Sequence, residues 1–267
     1  MNPFRFAALA LVLFGTFLLT GCPPPCYPDI ASGPPPEGPP LAHLGAYTVT
    51  VSAPDVDNLR TVAAYRGTTP VTQYKDPVRD VSTTVAQGFP LPECTSQTVE
   101  MFTGGANCCF GYYIFTACPD GQHAAYVEPM DGSLGAPVNT LKAYPVSDPS
   151  FMYYGKDNLS FIRPDSPRLT RYLVFDNGSW RADTVGEFVA VYRGLASKAL
   201  ADGKMDKTAK AITVTYYSYM SGTPESSLKK TLRSALPAKH RSLSASIFED
   251  IKKAADGFDP VKNIAEQ

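Results

Sequence analysis

From about residue 41 to 183, apolar and polar positions alternate with period two, or fall into short β-branched and aromatic runs bounded by Pro, Gly, Asp and Asn. That period suits half-buried strands, whose successive side chains point to opposite faces. It predicts strands at Tyr47–Val51, Thr61–Tyr65, Val81–Val85, Thr98–Phe102, Phe110–Thr116, Ala124–Val127, Phe151–Tyr154, Leu159–Ile162 and Tyr172–Phe175. Asp176-Asn177-Gly178-Ser179 reads as a tight turn leading into Trp180, because Asn-Gly readily takes positive φ.

The period changes at Thr184. Thr184-Val185-Gly186-Glu187 matches a capping box, after which Phe188, Tyr192, Leu195 and Ala199 recur at helical spacing until Gly203. Ala211–Met220, rich in Ile, Thr, Val and Tyr, reads as a further strand. Thr223 before Pro224 starts a second helix, with Leu228, Leu232 and Leu236 on one face and Pro237 as its stop. A third runs from about Ser242 to Asp256 with Leu243, Ile247, Ile251 and Ala254 or Ala255 inward; Lys229, Lys230, Lys252 and Lys253 fall off these stripes and read as solvated. The whole predicts an α+β fold, a mostly antiparallel sheet region (41–183) followed by C-terminal helices (184–267), with no linker between them.

The first 40 residues follow neither period. An apolar run of about 14 residues, Phe6–Leu19, follows Arg5, too short for the roughly 20 residues that cross a bilayer and suited to the core of a secretory signal. Residues 23–40 contain nine prolines, which remove amide donors and fix φ. Such a stretch favours polyproline II and extends by about 3.1 Å per residue, to roughly 55 Å, so it reads as a tether.

Leu19-Thr20-Gly21-Cys22 resembles the lipobox of bacterial lipoproteins: an aliphatic residue, two small residues and a cysteine. The resemblance covers residues 1–22. It implies cleavage before Cys22, diacylglycerol and then palmitate or a similar acyl chain on that residue, and attachment to an envelope membrane through lipid alone. Two or more acyl chains hold where a single myristoyl is marginal, each buried methylene contributing about 0.8 kcal/mol. The residue after Cys22 is Pro23 rather than the Asp that often retains such proteins in the inner membrane, so the resemblance implies the outer membrane of a Gram-negative cell.

Export changes the meaning of the other cysteines, which should oxidise. Cys94, Cys108, Cys109 and Cys118 lie within 25 residues and predict a disulfide-stapled region. In an extended strand Cys108 and Cys109 point to opposite faces, which favours separate partners, expected to be Cys94 and Cys118, although spacing alone does not fix the order. A four-cysteine zinc site is the weaker reading, for there is no Cys-x-x-Cys pair and only His123 is nearby. Cys26, in the tether, is left over.

The formal charge of -1 gives no footprint for nucleic acid. From Arg193 onward the chain carries thirteen Lys or Arg against eight Asp or Glu, which reads as solvated helix faces rather than a lipid or partner site. No phosphate-binding loop, nucleophile elbow or zinc-binding helix is present, and nothing in the sequence points to a cofactor or metal. His43, His123 and His240 read as surface residues, and Asp55-Val56-Asp57-Asn58 as an Asx turn rather than a calcium loop. Rows of aromatics, represented by Tyr112, Tyr153 and Tyr217, are candidates for stacking on a glycan or gripping a protein, against the plainer expectation that alternate aromatics fill a core. The functional expectation is a non-enzymatic, lipid-anchored envelope protein that binds or scaffolds an envelope protein or peptidoglycan. An envelope hydrolase with a dispersed site and a surface effector with a basic helical end are the alternatives.

Overall fold

The computed structural model describes residues 40–57, 59–76, 78–102, 110–132 and 134–264; the signal segment, Cys22, most of the tether, Cys108 and Cys109 lie outside them. A first antiparallel sheet holds β1 (Ala42–Leu44), β2 (Tyr47–Val51), β3 (Arg60–Arg66) and β4 (Thr69–Asp76) in sequence order. The second is built from β5 (Asp80–Gln87), β6 (Thr95–Phe102), β7 (Phe110–Cys118) and β8 (Gly121–Met130). Its far edge, beside β8, is taken by the last strand, β14 (Val261–Ile264). A third sheet has β12 (Leu169–Asp176) between β9 (Ala143–Asp148) and β13 (Ser179–Ala182), and β10 (Gly155–Lys156) with β11 (Leu159–Ser160) forms a small hairpin. Four helices follow: α1 (Val189–Ala201), α2 (Lys207–Met220), α3 (Glu225–Ala235) and α4 (Ser244–Asp256).

Alternation along the strands stacks these elements in layers. On β7, Tyr113 and Phe115 face the first sheet, packing with Tyr47, Val49 and Val62. Tyr112 and Ile114 face the third sheet, where Tyr144, Leu173 and Trp180 meet them. The third sheet's other face presents Ala143, Tyr172 and Val174 to the helices. Sheets covered on both sides explain why β7 and β12 read as near-continuous apolar runs rather than clean alternations. The helices share their core with residues of the β-rich region, and β14 completes a sheet begun at β5, so residues 41–183 and 184–267 interlock.

The turn at Asn177-Gly178 is present, with φ of 48° and 76° at its two central residues, as a two-residue hairpin of matching twist requires. Gly178 is further constrained because a Cβ there would sit 2.8 Å from the His123 ring. Asp55 closes the expected Asx turn, its Oδ1 accepting from the Asp57 and Leu59 amides at 2.9 Å each.

Several expectations are corrected. Ala211–Met220 belongs to helix α2, not a strand: Asp206 caps it by accepting from the Thr208 and Ala209 amides, and burial on nearly every side overrides its β-rich composition. Phe151–Tyr154 is no strand either, because Asp148 accepts from the Ser150 amide and Pro149 starts a 3-10 turn over Pro149–Phe151. The Thr184 amide does bond Glu187 at 2.9 Å, but that closes a turn before α1, which begins at Val189. Thr223 does not cap α3; Pro224 occupies the cap position, while Leu228, Leu232 and Leu236 are buried as expected.

The staple is a correction as well. Cys94 and Cys118 are bonded to each other. Thr95 lies opposite Ala117, so the next pair outward on β6 and β7 is Cys94 with Cys118, Cα atoms 4.4 Å apart. Antiparallel pairing places these cysteines face to face, within the range a disulfide spans.

Candidate functional site

A cleft lies where α4, the second sheet and the turn after β9 meet. Asp148 fixes that turn and sets Ser150 at the rim. The β10–β11 hairpin carries Lys156 over α4, where its Nζ lies 2.6 Å from Asp250 Oδ2. Tyr154 donates its hydroxyl to the same oxygen at 2.6 Å. Burial, then the bond to Asp250, raises the Tyr154 hydroxyl above its ordinary value, so it stays a donor. After α4, residues Gly257–Pro260 fold back to β14, and the Pro260 carbonyl accepts from the Glu128 amide at 2.8 Å.

The resulting cleft has a volume of about 620 Å³ and is lined by Glu128, Ser150, Tyr154, Asp250, Lys253 and Asp259 among others. A second hollow of about 440 Å³, lined by Arg171, Arg181, Asp183 and Asp256 among others, shares Phe258 and Asp259 with the first. The Phe258 ring lies 4.8 Å from the Arg171 guanidinium carbon, so one aromatic side chain borders both spaces.

Beneath Phe258 runs a buried polar network. Arg171 donates Nε–H to Asp183 Oδ1 at 2.9 Å, Nη2–H to the Asp183 carbonyl at 2.6 Å, and Nη1–H to the Tyr216 hydroxyl at 3.0 Å and the Ala255 carbonyl at 2.8 Å. Tyr192 donates to Asp183, and Tyr216 to Asp148. Burial is the first cause that pushes both tyrosine hydroxyls far above their ordinary value, and the neighbouring carboxylates add to it. The network ties β9, β12, α1, α2 and α4 together. Of its members, Arg171 and Asp183 border the second hollow.

The residues singled out from sequence do not converge here. Tyr112 is fully buried with its hydroxyl donated to the Gly132 carbonyl at 2.6 Å, and Tyr217 is buried with its hydroxyl 2.9 Å from the Thr170 amide. Both are core residues, so the binding role considered for them is withdrawn. Tyr153 is 47% exposed, at a positive φ. His43 is exposed and meets the Thr48 hydroxyl at 3.0 Å; His123 lies 3.7 Å from Asp120. His240, expected at the surface, is buried with Nδ1 3.0 Å from the Thr208 hydroxyl.

Sequence reading missed Arg171, Asp183, Asp148, Lys156, Asp250 and Phe258. One signal was available: an arginine inside the apolar run Leu169–Phe175 demands a buried carboxylate. Among the described residues, no helix is long and apolar enough to cross a membrane and no group of three His, Cys, Asp or Glu could hold a metal. No protein-family model matches this chain, and no curated protein or solved structure is significantly similar to it.

Proposed function

We propose that this protein is a lipid-anchored component of the bacterial cell envelope, placed on the outer membrane, whose folded body binds an envelope protein or peptidoglycan without catalysing a reaction. The observation that carries the anchor is Leu19-Thr20-Gly21-Cys22 followed by the proline-rich stretch. The Cys94–Cys118 bond supports the same reading, since disulfides persist outside the reducing cytoplasm.

For the binding body, the support lies in how the cleft divides its charges. Asp250 is committed to Lys156 and Tyr154, and Asp183 to Arg171 and Tyr192. Lys253 and Asp259 stand exposed on the rim beside the aromatic walls of Tyr154 and Phe258, an arrangement suited to a polar partner. A hydrolase is the second reading, favoured by one fact: Glu128, Asp250 and Asp259 all line one cleft.

Two experiments test this. Growth with labelled palmitate should label the full chain, and Cys22→Ala should abolish the label and release the protein from membranes; unchanged membrane retention in Cys22→Ala refutes the anchor. A photo-crosslinking residue at position 253 in the full chain should trap a defined envelope component. Release of soluble fragments from purified peptidoglycan, lost in both Glu128→Gln and Asp250→Asn, would replace binding with hydrolysis.

A further inference from the structure

We infer that β5 is a self-association edge, along which a second copy of this chain pairs antiparallel about a two-fold axis at Thr83. Strand β5 ends its sheet, with no neighbour on its outer side among the described residues. Which of its backbone groups face outward follows from the register. In an antiparallel pair, residues whose Cα atoms lie about 4.5 Å apart are the non-hydrogen-bonded ones. Cys94 and Cys118, at 4.4 Å, mark such a position. Counting along β6, Thr95, Gln97, Val99 and Met101 therefore bond β7, and Ser96, Thr98, Glu100 and Phe102 turn to β5. Their partners are Ala86, Thr84, Ser82 and Asp80. Val81, Thr83, Val85 and Gln87 are left with N–H and C=O aimed away from the sheet. Of these, the Val81 amide is taken up by Asp80 Oδ1 at 2.9 Å.

The other sheet edges carry features that discourage pairing. Strand β1 has three residues, β4 and β9 contain Pro70 and Pro145, β14 is short with Lys262, and the Asn263 amide bonds the β13 backbone at Trp180. By contrast β5 is eight residues long, has no proline or cation, and carries its single charge, Asp80, at one end. Ser82 to Val85 are exposed on both faces, and Val85 is 51% exposed. A long, uncharged, β-branched edge is a template for another strand.

The sequence of β5 suits its own copy. An antiparallel neighbour must set outward-facing residues opposite outward-facing residues, which leaves only registers centred on a single residue. Centring on Thr83 sets Thr83 opposite Thr83, Val81 opposite Val85, Ser82 opposite Thr84 and Asp80 opposite Ala86. The exposed valine gains an apolar partner, and no charge faces its like. Two five-stranded sheets then become one continuous sheet.

Cysteines at 82 and 84 test the register, because these positions form the close, non-hydrogen-bonded pair across the axis. The full chain carrying S82C and T84C, oxidised with copper phenanthroline and run without reductant, should give a band at twice the chain mass at least tenfold stronger than the parent chain gives. Adding V85K or T83P should cut that band about tenfold with Trp180 fluorescence unchanged; Thr83 turns its N–H away from β6, so proline there leaves the monomer's own ladder intact. The inference is overturned by a band no stronger than the parent's, by an equal yield from S82C/A86C, which this register does not oppose, by persistence of the band in a folded V85K chain, or by adducts with a different protein.

Discussion

Replacing Asp183 with alanine removes the counter-charge of Arg171 from a place water does not reach: the two side chains are 0% and 1% exposed. The substitution also strips the Tyr172 amide and the Tyr192 hydroxyl of their acceptor. Breaking a buried ion pair from one side costs about 3–5 kcal/mol, because the remaining charge stays desolvated. For a chain of this size each kcal/mol lowers Tm by roughly 2–4 °C, so Asp183→Ala should lower it by about 6–20 °C. The comparison is Asp176→Ala, which removes one partner of Arg181 at 3.2 Å, where the side chains are 38% and 46% exposed. An exposed pair of this kind contributes about 0–1 kcal/mol. Trp180, fully buried between the second and third sheets and the only tryptophan, reports unfolding through its fluorescence in urea or on heating. The double variant Arg171→Met/Asp183→Leu should be less destabilised than Asp183→Ala, since no lone charge is stranded. Equal losses for Asp183→Ala and Asp176→Ala would refute the reasoning.

Further outcomes follow from the same geometry. Cys94→Ala/Cys118→Ala should lose roughly 3–4 kcal/mol in urea titrations, the chain-entropy cost of releasing a loop with a sequence separation of 24. Asn263→Ala leaves the Trp180 amide and carbonyl without the side-chain partners they hold at 2.9 and 2.8 Å, which should cost about 1–3 kcal/mol and shift Trp180 emission early in unfolding. Tyr112, Tyr113, Tyr144, Tyr192 and Tyr216 are all raised by burial, and Tyr219, by burial and then its bond to Asp256, is pushed up to about 12. The folded state therefore holds protons that the unfolded chain releases near pH 10, so stability is full below that pH and falls as it rises further. Absorbance at 295 nm should show phenolate appearing together with loss of structure above pH 10; smooth, independent titration of these tyrosines in a folded chain would contradict their burial.

The longer strands β2, β3, β5, β6, β7, β8 and β12 each overlap a run that the alternation marked, whereas β1, β10 and β14, of two to four residues, are too short to show a period. Strands β4 and β9 were not legible, because Pro70 and Pro145 argue against a strand; both lie at sheet edges, where the missing amide costs no ladder bond. Helix α2 was misread for a different reason. Its Ile, Thr, Val and Tyr residues suit a strand locally, and only the surrounding helices and third sheet make the helical form bury them. Thr215 answers its own polarity by donating to the Ala211 carbonyl at 2.7 Å. The cleft was legible least of all, since Glu128, Ser150, Asp250 and Asp259 come from distant segments and no local pattern joins them. The aromatic rows were visible, but whether a ring faces a core or a partner depends on what covers the sheet.

The position of β14 bears on how the molecule is made. Val261 sits opposite Val127, so the second sheet starts with β5 and is finished by nearly the last residues described. A chain synthesised from its N-terminus can zip β5 to β8 through local hairpins early. It then keeps the β8 edge open while the third sheet and all four helices are added. During that interval the growing chain offers a ready strand template, the state in which nascent β-proteins are most prone to aggregate and in which a holding chaperone has most to protect.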